Sequence, residues 1–124
     1  MKKFCIVGVL CFTFASCRHK TNFNDFPEIS YGTTIEPIIA GNCTQSGCHG
    51  SSSNSDHESF PLLSYDDVIK YCNVVAGNPE KSNLYKVVNT YNEGNVMPRK
   101  PYNKLTEKQI ELIYVWIGQG AKDN

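Results

Sequence analysis

Cys43, Cys48 and His49 stand together in "NCTQSGCHG", residues 42 to 50. Two thiols this close, with an imidazole directly after the second, suit three kinds of chemistry. A covalent haem of the c type (heme c) needs two cysteines for its two vinyl groups. It also needs a histidine beside the second cysteine, so that the ring reaches the iron. Here four residues separate the cysteines, where two are commoner, and the longer loop must bulge without moving its ends. Gly47 stands where such a bulge needs backbone freedom. A zinc ion would need a further ligand, and only Cys72 or His57 is available to complete the set. A Cys43–Cys48 disulfide is the plainest reading, but it leaves His49 and Cys72 unexplained. The spacing favours haem, with His49 as its proximal ligand.

A haem iron has a second face. Met97 is the one methionine left once Met1 is set aside. It lies in a turn-rich stretch with no helical or strand partner, so a core-filling role suits it poorly. Pro98 restrains the backbone before it. Met97 is therefore the candidate ligand for that face, unless the position is left open. His57, in the serine-rich "GSSSNSDHES", and His19 read as solvated residues.

The opening "MKKFCIVGVLCFTFASC" has a basic start, a short apolar run and small residues before Cys17. It reads as an export signal, and the apolar run is too short to span a bilayer. "FASC" resembles the lipobox of bacterial lipoproteins, with Phe14 replacing the usual leucine. That resemblance implies removal of residues 1–16, acylation of Cys17 and a lipid-anchored protein of the bacterial cell envelope. The periplasmic face is the expected location. Cys5 and Cys11 leave with the signal. Cys43, Cys48 and Cys72 then remain, an odd number that internal disulfides cannot consume. Two of the 12 basic residues leave as well, against 12 acidic residues that stay, so the remainder is mildly acidic. No basic patch stands out, and nucleic acid is not an expected partner.

The elements that must position these residues read as helices. Residues 17–32 are polar and form an expected tether, followed by one domain over 33–124. Thr34 is a candidate N-cap, with Ile35, Ile38 and Ile39 on one helical face and Gly41 and Asn42 at its end. Ser64 and Asp67 suggest a capped helix carrying Val68, Tyr71, Cys72 and Val75, with Gly77 as its stop. Asn78 and Pro79 open another helix. Residues 89–104 form a long loop, of a length that is usually functional or disordered. Thr106 and Gln109 make a capping box for the last helix, whose stripe is Ile110, Ile113, Tyr114 and Ile117 with Trp116 beside it. Tyr114 and Trp116 are expected to face the first helix, and Gly120 closes the last. No stretch alternates at period two, so the fold class is all-α.

"IEPIIAGNCTQSGCHG", "SYDDVIKYCNVVAGNPEKSNLYKVV" and "VMPRKPYNKLTEKQIELIYVWIGQGAKDN" together resemble the planctomycete-type cytochrome c family over about residues 33 to 124. The resemblance implies a cytochrome c-like domain of about four short helices around a covalent haem c. It implies thioether bonds at Cys43 and Cys48, with His49 and Met97 on the iron. Cys72 is not part of that pattern and reads as a small buried apolar residue. Tyr85, Tyr91 and Tyr102 are candidates to border the porphyrin. The expected function is a lipid-anchored monohaem electron carrier that meets redox partner proteins, rather than a catalyst. The alternatives are a lipoprotein module stapled by a disulfide, and a haem or zinc enzyme with an open metal position.

Overall fold

Helix α4, Glu107–Gly118, organises the molecule. The computed structural model describes residues 21–45, 47–50 and 60–124; the leader, Cys17, His19 and His57 lie outside them. Thr106 and Gln109 close the expected capping box, each side chain accepting from the other's backbone N–H. Ile113, Trp116 and Ile117 are fully buried. Gly120, at a φ of 106°, ends the helix. Its N–H donates to Ile117 and that of Ala121 to Trp116, which satisfies carbonyls the helix would leave unpaired.

The other helices are short: α1 Glu36–Asn42, α2 Tyr65–Tyr71 and α3 Asn83–Val88. Among the described residues there is no strand, and the fold is all-α. Ahead of α1, Tyr31–Ile35 forms a wide π turn that runs straight into it. The cap is Ser30, not Thr34: its hydroxyl accepts from the N–H of Thr33 at 3.3 Å. The reason is apolar spacing. Tyr31 and Ile35 extend the stripe of Ile38 and Ile39 one turn upstream, and all four are buried.

In α2, Ser64 accepts from the N–H of Asp67, as expected. The Asp67 carboxylate reaches back to the N–H of Leu63, one residue beyond its usual target in a capping box. The helix stops well before Gly77. Asn73 adopts a φ of 44°, with Asn73 N–H on Lys70 O and Val74 N–H on Ile69 O. Asparagine tolerates this left-handed conformation better than most residues, so the chain turns here and Val75 is exposed. Asn78 caps only a 3-10 turn, Pro79–Lys81. The fully buried Ser82 then precedes α3, and its hydroxyl bonds the backbone of Val75 and Asn78.

Trp116 packs against Tyr31, with ring centroids 5.6 Å apart, and its indole N–H donates to Lys122 O. Tyr114 does not face α1. It meets Phe23 at 5.4 Å and Tyr85 at 4.9 Å, because it stands on a different side of α4 from Trp116.

Residues 22–32 lie on the tether side of the expected boundary, yet they are docked on the helical core. The Gln119 amide donates to the carbonyls of Phe23, Phe26 and Pro27, and its oxygen accepts from Ile29 N–H. Asn124 takes the N–H groups of Tyr31 and Gly32. Composition cannot anticipate this, since polar residues with reachable backbone look like any linker.

Candidate functional site: a cysteine-lined cleft at the end of α1

Helix α1 ends in carbonyls that need donors, and the residues after it supply them. Asn42 donates to Ile38 O, Thr44 to Ala40 O and Gln45 to Gly41 O, while Cys43 N–H takes Ile39 O. This anchors the start of the loop. Its far end is held by His49 N–H on Cys43 O at 3.0 Å and by Leu62 N–H on His49 O at 2.9 Å. Gly47 supplies the bulge, at a φ of 79°. Gly50 is required for a different reason: a Cβ there would stand 2.7 Å from the carbonyl oxygen of Thr44.

Nδ1 of His49 lies 2.9 Å from the carbonyl oxygen of Phe60. A carbonyl can only accept, so Nδ1 carries the proton. In the neutral ring this puts the lone pair on Nε2. Such a second contact fixes both tautomer and ring orientation in metal-binding histidines.

Cys43, Cys48, His49 and Met97 all line one cleft of about 220 Å³. Its walls are Leu62 and, from α3, Leu84, Val87 and Val88; Arg99, Lys100 and Tyr102 also line it. Met97 is brought there by its N–H, which donates to Val87 O at 2.8 Å. The peptide bonds before Pro98 and Pro101 are cis. Of the three tyrosines that sequence alone did not rank, Tyr102 lines the cleft. Tyr85 and Tyr91 line a separate groove beside Tyr114 and Glu111.

Cys72 lines the same cleft. Its sequence signal was only that of an apolar helix position, and α2 stops just before it. The Phe60 carbonyl had no sequence signal, because any residue has one.

Cys43, Cys48 and Cys72 are free thiols. Burial pushes Cys43 up to about 12, with Cys72 and then Cys48 adding to the rise. Burial pushes Cys72 up to about 11. Among the described residues no three His, Cys, Asp or Glu side chains converge to hold an ion. Zinc binds thiolates, and burial disfavours that form at Cys43 and Cys72. The set suits haem c better: two thiols at the ends of a bulged loop, an imidazole oriented through Nδ1, and a thioether from a second loop.

Comparison with protein-family models, curated proteins and solved structures finds no match to this chain.

Proposed function

We propose that this chain is a monohaem c-type cytochrome that carries electrons, anchored by lipid at Cys17 on the periplasmic side of a bacterial envelope. The resemblance to planctomycete-type cytochrome c domains belongs to the same proposal. The observation that carries it is the meeting of Cys43, Cys48, His49 and Met97 in one cleft from two separate loops. Cys43 and Cys48 would hold haem c by thioether bonds, and His49 and Met97 would ligate its iron. Bound, the group supplies a one-electron iron couple, whose potential a Met/His pair raises.

The chain's own residues do the rest. The Phe60 carbonyl holds the proton on Nδ1 of His49 and leaves Nε2 to act as ligand. Leu62, Leu84, Val87 and Val88 give the cleft an apolar lining. Val87 O holds the backbone of Met97. That Met97 lines the cleft favours a carrier over an enzyme with an open metal position.

The test is production in an exporting host that has a haem-ligation system. The purified protein should be red and should keep its haem stain in denaturing gels, and Cys43→Ala with Cys48→Ala should lose that stain. A colourless wild-type protein overturns the reading. Cys17→Ala should move the protein from membrane to soluble fraction, and unchanged partition overturns the anchor.

A further inference from the structure

The proposed function uses two of the three thiols in the cleft and leaves Cys72 without a role. Its position is fixed by backbone: its N–H donates to Val68 O at 3.1 Å, and its carbonyl accepts from Leu84 N–H at 3.0 Å. Cys43 is fixed in the same way, by Ile39 O at 2.8 Å and His49 N–H at 3.0 Å. Both side chains are partly buried against the same core and line the same cleft. Burial raises both thiols, and Cys72 adds to the rise at Cys43. The fold has brought to one cleft two thiols that the sequence holds apart.

We propose that Cys43 and Cys72 form a disulfide in the chain before the cofactor is attached, and that this bond controls whether Cys43 can receive it. The second half rests on the haem reading; the first does not. The oxidant is a low-molecular-weight disulfide. One of the two thiols, as thiolate, attacks it, giving a mixed disulfide and releasing one small thiol. The other thiol then displaces the second small thiol. The sulfurs of Cys43 and Cys72 become joined, their two protons and two electrons leave on the two small thiols, and the balance closes. A Cys43 held in this bond has no thiol for a vinyl group. Reduction returns it. Once Cys43 is consumed, Cys72 is left as a partly buried thiol whose ionisation burial opposes.

The competing product is diagnostic. In an unfolded chain the shorter loop closes at lower entropic cost, so Cys43 pairs with Cys48. Only a folded cleft favours Cys72. The experiment uses the full chain with Cys5, Cys11 and Cys17 each replaced by Ser, produced without haem ligation and incubated with glutathione disulfide. Non-reducing digestion and mass spectrometry then map the bond. Cys43–Cys72 should dominate in buffer and give way to Cys43–Cys48 in concentrated urea. Dominant Cys43–Cys48 in buffer, or thiols that end only as glutathione adducts, overturns the proposal.

The loading half is read separately, as the fraction of chains carrying haem in an oxidising, haem-ligating host. Cys72→Ala and Cys72→Ser should both raise that fraction, and added reductant should erase the difference from wild type. Equal loading without reductant overturns the control role. Absence of haem from every variant removes it together with the haem reading, while the mapped bond stands on its own.

Discussion

A backbone carbonyl, that of Phe60, fixes the proton of His49 on Nδ1. A second backbone carbonyl, that of Thr44, decides what can follow His49. Gly50→Ala would drive a methyl group into it. Overpacking of this kind costs about 1–3 kcal/mol, and urea unfolding should show a lowered midpoint. Met97 can be tested by spectroscopy under the proposed function. A ferric haem with a thioether ligand has a weak near-red band, which Met97→Ala should abolish while speeding cyanide binding. Met97→His should instead lower the potential, as a second imidazole does. A wild-type protein without the band, already quick to bind cyanide, takes Met97 off the iron.

At the scale of elements, side chains late in the chain tie down the start of the described residues. Gln119 stands just past α4 and makes four hydrogen bonds to the segment from Phe23 to Ile29. Phe23 lies directly over Gly118, where a Cβ would collide with its ring. Gln119→Ala should therefore release residues 23–29. The expected loss is on the order of 1–3 kcal/mol, because backbone groups lose partners together. Limited proteolysis should show new cleavage before Ser30, and an unchanged digest would show that the segment is held by other contacts. Gly118→Ala should have the same effect through the ring.

Across the whole molecule, three helical segments meet at aromatic rings, two of them tyrosines whose ionisation burial opposes. Tyr31 packs on Tyr65 at 5.1 Å and on Trp116 at 5.6 Å. Burial, aided by Glu36, Asp123 and Asp67, pushes Tyr31 up to about 12. Burial, with Asp123 and Asp66, also raises Tyr65, whose hydroxyl donates to Ala121 O. An unfolded chain gives up a tyrosine proton near pH 10. Below that pH both states keep the proton, and Tyr31 adds no pH dependence. Between about pH 10 and 12 the unfolded state holds fewer protons than the folded one, so stability falls as pH rises. Urea midpoints taken from pH 8 to 12 should decline above 10, and Tyr31→Phe should flatten the decline. A variant with the parent's slope would show that Tyr31 does not control it.

Local signals were legible wherever a residue acts on its own neighbours. The capping box of Thr106 and Gln109, the stops at Asn42 and Gly120, the bulge at Gly47 and the all-α class depend on short-range geometry and apolar spacing. So does the grouping of Cys43, Cys48 and His49, which share one loop. What needed the tertiary structure involves partners far apart in sequence, or backbone groups that every residue possesses. Ser30 displaces Thr34 as cap because Tyr31 finds Trp116 to pack against. Residues 22–32 dock because Gln119 and Asn124 lie at the other end of the chain. Met97 reaches the cleft through Val87 O, and Cys72 reaches it because Asn73 turns the chain and Leu84 holds it there. The sequence by itself determined which donors exist and which helices carry them. The packing of those helices decided which donors share a cleft, since that depends on contacts no local pattern encodes.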